Sequence, residues 1–140
     1  MCKIADWLVF LLLGLCGISD WKKKTIPILL LIVLSVVVVV FALLCNAVSI
    51  RLRMGGVVVG TLFLLISKCT KEAIGYGDSW LILLLGIHMG SLRATGVLFV
   101  AAVLSGIVSL FFLWKYHWKR TATLPFVPFL SISYLGAILL

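Results

Sequence analysis

Charge is scarce in this chain of 140 residues: 11% are Asp, Glu, Lys or Arg, against roughly a quarter in a soluble globular domain. Acidic residues are scarcest of all, with only Asp6, Asp20, Glu72 and Asp78. Any chemistry that needs a carboxylate must choose among those four. The cysteines Cys2, Cys16, Cys45 and Cys69 are scattered without a C-x-x-C pair, which argues against a zinc ribbon or a thiol redox centre. Cys16 and Cys45 fall inside apolar runs, where a thiol packs as a small hydrophobe. No His, Cys and carboxylate cluster has ligand spacing, so neither a metal nor a cofactor is expected. Internal repeats and low-complexity linkers are missing as well, and residues 1–140 read as a single membrane-embedded domain. What fills the chain is apolar: 64% of residues are hydrophobic and the mean hydropathy is +1.33. That composition excludes a water-soluble monomer, a disordered tail and a coiled coil.

A helix needs roughly 20 residues to cross a hydrocarbon core of about 30 Å, so this length holds at most about six or seven crossings. Apolar runs lie at 7–18, 26–45, 54–67, 80–90, 96–114 and 124–140. They predict an all-α, polytopic integral membrane bundle of about six transmembrane helices. The run 26–45 is rich in β-branched residues and would read as a buried strand in water. A lone strand cannot satisfy its backbone in lipid, so helix is expected, with Pro27 in the first turn. The runs 54–67 and 80–90 span about thirteen residues each, or about 20 Å as helix, and are expected to fall short of the bilayer core. They must either tilt into a thinned, watery region or be shielded by longer neighbours. The first run could be mistaken for a signal peptide. Three lysines after it outnumber the single Lys3 before it, and no small-residue cleavage site precedes Asp20, so it is expected to stay as a span with its N-terminus outside.

The formal net charge of +8 would suggest nucleic acid in a soluble protein. In a membrane chain, Lys and Arg instead mark cytoplasmic loops and pair with anionic lipid. With six spans and an outside N-terminus, the inside loops carry Lys22, Lys23, Lys24, Lys68, Lys71, Lys115, Lys119 and Arg120, and the outside carries Lys3, Arg51, Arg53 and Arg93. This excess obeys the positive-inside rule. Lys22, Lys23 and Lys24 are candidates for contact with substrate or lipid. Trp114, Tyr116 and Trp118 resemble an interfacial belt with snorkelling lysines, and His117 belongs to that loop. His88 falls near the outer end of its helix, where packing or a helix-end contact is expected, and Glu72 is expected to pair with Lys68 or Lys71.

The same alternation places Asp20 and Asp78 at one side of the membrane and Asp6 at the other. Two carboxylates brought together at a membrane boundary cannot both ionise freely, so they share a proton. The ionised member can activate water while the protonated one polarises a carbonyl, as in aspartic proteases. Gly75 and Gly77 would let the backbone before Asp78 adopt positive φ and let a substrate strand come close. On spacing alone a plainer reading stays open: Asp20 capping a helix or pairing with Lys23, and residues 75–77 forming an ordinary tight loop.

Asp20-Trp21-Lys22-Lys23-Lys24-Thr25-Ile26-Pro27 resembles the first aspartate motif of the type IV prepilin peptidases, in which Ile-Pro opens the next helix. Gly75-Tyr76-Gly77-Asp78 resembles their second motif, G-x-G-D, and Leu124-Pro125-Phe126-Val127-Pro128-Phe129 is similar to the start of their last helix. The resemblance implies a membrane aspartic endopeptidase that removes the short basic leader of prepilin or pseudopilin substrates at the cytoplasmic face of a prokaryotic cell membrane. Asp20 and Asp78 would be its catalytic pair, and Gly75, Tyr76 and Gly77 its active-site loop. No nucleic acid partner is implied. Trp80 stands where many members carry Lys, so a basic contact is lost. The paired C-x-x-C domain of the large bacterial form is not matched, which implies cleavage without methylation, as in the small peptidases of archaeal flagellin-like and tight-adherence pilus systems. Presenilin-like proteases share G-x-G-D, but their Tyr-Asp motif is not matched by Ser19-Asp20. The competing class is a non-catalytic transporter subunit or assembly scaffold using the aspartates as an ion relay or as caps.

Overall fold

A computed structural model describes residues 2–23, 27–45, 48–69, 75–116 and 125–140. They form six helices and, among the described residues, no strand: α1 (Cys2–Lys23), α2 (Ile28–Leu44), α3 (Ile50–Cys69), α4 (Tyr76–Met89), α5 (Ser91–Tyr116) and α6 (Val127–Leu139). Three of them, α1, α3 and α5, are long and apolar enough to cross a membrane. The outer surface shows Ile28, Leu29, Leu43, Leu92, Phe99, Leu110 and Trp114, as a lipid-facing surface should. The all-helical membrane bundle expected from the hydrophobic runs is therefore present.

Successive helices alternate in direction. Gly90, with φ of 82°, makes the one-residue turn between α4 and α5, in a left-handed region where a side chain would be strained. A Cβ there would also press on Val48 and Leu52. Pro27 stands one residue before α2, not inside its first turn, and its carbonyl accepts the N–H groups of Leu30 and Leu31. At the far end of α2, the Arg53 guanidinium donates to the carbonyls of Ala42 and Cys45. A helix end leaves carbonyls without partners and carries partial negative charge, so a guanidinium there serves as both donor and counter-charge.

That contact explains the main difference from the expected spans. Arg51 and Arg53 belong to the first turn of α3, which runs for 20 residues and does not fall short of the bilayer. Only one of the two runs expected to be short is so: α4, with 14 residues, about 21 Å. Of the two ways such a short run can be accommodated, shielding is the one adopted. Helices α2, α3 and α5 pack around α4, and Leu81, Ile82, Leu84, Leu85 and Met89 are buried. A helix apolar on every side belongs in the middle of a bundle. Closest of all is α3 against α4, where Gly56 meets Gly86 and Gly60 meets Leu83 backbone to backbone. Small residues permit that approach in membranes, where dispersion drives helix association.

Candidate active site

Asp20 lies in the last turn of α1, followed by the exposed Trp21, Lys22 and Lys23. Its side chain is buried, with the residue 9% exposed. The reason is α6: Gly17 has no side chain to hold off Pro128, so the start of α6 closes on α1, and the backbone N–H of Val127 donates to the Asp20 carboxylate. The third sequence motif, around Val127 and Pro128, thus acts by delivering a helix N-terminus to the first aspartate.

Asp78 occupies the first turn of α4 and is half-buried. The turn is pinned from both sides. The Ser79 N–H donates to the Gly75 carbonyl at 3.1 Å, and its buried hydroxyl lies 3.4 Å from the carbonyls of Gly75 and of Phe63 in α3. Trp80 reaches α2, its indole N–H donating to the Ser35 hydroxyl at 3.0 Å. The residue standing where many of the prepilin peptidases it resembles carry Lys thus ties α4 to α2.

The glycines behave differently from expectation. Gly75 has φ of −53°, Gly77 lies inside α4, and Gly90 is the one positive-φ glycine among the described residues. The motif opens a helix instead of forming a tight turn, with an extended backbone at Gly75 and helix from Tyr76, so no positive φ is needed. What glycine provides at position 75 is an exposed backbone beside the Asp78 carboxylate, whose Oδ2 is 3.4 Å from where a Cβ would stand. Tyr76 next to it is 49% exposed.

The fold brings Asp20 and Asp78 to one end of the bundle, near enough for the charge of one to act on the other. Two helix N-termini converge on them, α4 at Asp78 and α6 at Asp20, and each favours negative charge. Lys22 and Lys23 remain exposed at the rim, while Lys24 and Glu72 lie outside the described residues. His117 and the lysines and arginine at 71, 119 and 120 lie outside them as well. Among the described residues no group of three or more His, Cys, Asp and Glu is placed to hold a metal.

One pairing was missed in the sequence. His88 Nε2 lies 2.8 Å from Asp6 Oδ1, at the opposite end of the bundle from Asp20 and Asp78. Helices α1 and α4 do not pack along their lengths, and the Asp6–His88 contact links them at this end. The signal was available: Asp6 is the single acidic residue assigned to its side of the membrane, and His88 was placed at the same end.

Compared with known proteins, the chain matches no curated protein and no solved structure. Its residues 7–110 match the sequence model of the type IV leader peptidase family, a stretch that holds both aspartates and ends before α6. With close to three quarters of its length so matched, and with membrane helices holding both motif aspartates at one end of the bundle, the chain belongs to the type IV leader peptidase family and is on that ground a membrane peptidase.

Proposed function

We propose that this peptidase is of the aspartic type and cuts the short basic leader from prepilin-like substrates at the cytoplasmic face of a prokaryotic cell membrane. The observation that carries the reading is the meeting of Asp20 and Asp78, which stand 58 positions apart in the chain, at one end of the bundle. In the reaction the ionised carboxylate takes a proton from water, and the hydroxide attacks the scissile carbonyl. The protonated carboxyl donates to the carbonyl oxygen as charge develops on it. Collapse of the tetrahedral intermediate breaks the C–N bond, and the departing amine takes a proton from the pair. Burial of Asp20 supports this by limiting competing water, and the exposed Gly75 backbone gives an extended substrate segment room beside Asp78.

Lys22 and Lys23 suit contact with lipid phosphate or with the substrate at the same rim. They also contribute to the positive-inside bias that supports a cytoplasmic site and an outside N-terminus. The test is co-expression with a panel of prepilin-like substrates, followed by N-terminal sequencing of the products. The wild-type chain is expected to release a shortened substrate. Asp20→Asn and Asp78→Asn should each abolish release while still inserting in the membrane. Cleavage that survives either change removes the aspartic assignment.

A further inference from the structure

The end of the bundle away from Asp20 and Asp78 encloses a cavity of about 180 Å³, lined by Asp6 of α1, Arg53 of α3, His88 of α4 and Arg93 of α5, and closed by Ala42 and Ala137. Two guanidinium groups thus face one carboxylate, since Asp6 is the only acidic residue that the described residues bring to this end. Asp6 is already engaged by His88 at 2.8 Å. The Arg53 η nitrogens are used at the end of α2, but its Nε–H is buried without a partner. Arg93 is exposed and also lines the cavity. Beside His88, with ring centroids 6.4 Å apart, Tyr134 ends in a buried hydroxyl that also has no partner.

Surplus positive charge and orphaned donors at a low-dielectric boundary are costly unless an anion answers them. Guanidinium groups match tetrahedral oxyanions better than any other side chain does, because their N–H groups diverge in a planar fork. The cavity lies where α2 and α4 end and α3 and α5 begin, the level at which headgroup phosphates are found in a bilayer that α1, α3 and α5 cross. We propose that this cavity binds a phosphate group, with Arg93 and the Arg53 Nε–H as donors and Asp6 as the charge that moderates affinity. The group can come from an anionic phospholipid or from free phosphate. This site is separate from the peptidase reading and does not depend on it.

The full-length chain, purified in detergent, is incubated separately with phosphatidylglycerol, phosphatidylcholine and inorganic phosphate, and bound species are counted by native mass spectrometry. One phosphatidylglycerol per chain, held more tightly than phosphatidylcholine, assigns the site to lipid. Inorganic phosphate that binds where phosphatidylglycerol does not assigns it to the free ion. Arg93→Gln, at an exposed position, should weaken binding about tenfold, the scale of one charge-assisted hydrogen bond. Asp6→Asn keeps the shape of the side chain and should tighten binding, because the opposing charge is gone. Asp78→Asn should leave binding unchanged. Absence of both adducts, equal affinity in Arg93→Gln, or weaker binding in a folded Asp6→Asn chain overturns the proposal.

Discussion

A carboxylate in the last turn of α1 faces the negative end of that helix's dipole, and Asp20 is held there because Val127 of α6 donates to it. Asp78 has the opposite situation, in the first turn of α4, where the dipole favours its charge. In the proposed aspartic mechanism the two carboxylates share one proton and titrate as a unit. The sign of the pH dependence follows. Below the first ionisation both groups are protonated and no base is present, so cleavage is lost as pH falls. Above the second, the shared proton has left and nothing donates to the carbonyl, so cleavage is lost as pH rises. Cleavage of a leader peptide by the solubilised chain should therefore give a bell-shaped profile of kcat/KM, which reports the free enzyme. A profile with no alkaline limb would show that no shared proton is needed. Asp20 and Asp78 could be singled out in the sequence because acidic residues are few, sidedness set Asp6 apart, Glu72 read as a loop partner, and the resemblance to the prepilin peptidase motifs picked out the remaining two. Asp6 and His88 could be put at the same end from the sequence but not in contact, since a contact across 82 positions depends on how α1 and α4 are held by the helices between them.

Among the elements, the α3 and α4 pair decides whether the short helix can carry Asp78 at all. A Cβ on Gly56 would overlap the backbone of Gly86, and one on Gly60 would overlap Leu83. Neither neighbour is the free end of a flexible side chain, so the helices would have to separate. Gly56→Ala is expected to lower stability by about 1–3 kcal/mol, the usual cost of overpacking a filled contact. Gly106→Ala makes the control: it sits on α5 with nothing within 4 Å, and the same change there should be neutral or slightly stabilising. Unfolding of the two variants in mixed detergent distinguishes them, and equal effects would mean that α3 and α4 do not meet through glycine. In the sequence these glycines fall in a run expected to be short, with Arg51 and Arg53 outside it. Hydropathy ends a helix at the first charge, whereas here the charge is kept because Arg53 satisfies the end of α2. Number and type of helices were legible from apolar runs for the same reason that their ends were not: burial in lipid is read from composition, but capping is read from partners.

For the whole molecule, alternation fixes which charges share an end, and the imbalance of charge is the ground for proposing which end is cytoplasmic. Lys22, Lys23, Lys68 and Lys115 close α1, α3 and α5 at the end that holds Asp20 and Asp78, while Lys3, Arg51, Arg53 and Arg93 open α1, α3 and α5 at the other. Counted over the full sequence, the excess is eight to four, and cytoplasmic loops take the larger share. Cysteine chemistry can read this directly. Cys69 is exposed at the last residue of α3, at the aspartate end, Cys16 is buried, and Cys45 lies at the opposite end. In a Cys2→Ser, Cys45→Ser chain, a membrane-impermeant maleimide should label Cys69 in inverted vesicles and leave intact spheroplasts unlabelled. Labelling from outside would turn the bundle over, place Asp20 and Asp78 away from the cytoplasm, and rule out leader cleavage before export. Labelling from inside, combined with loss of cleavage in the Asn variants, would put the acid–base pair on the face where an unprocessed leader first meets the membrane.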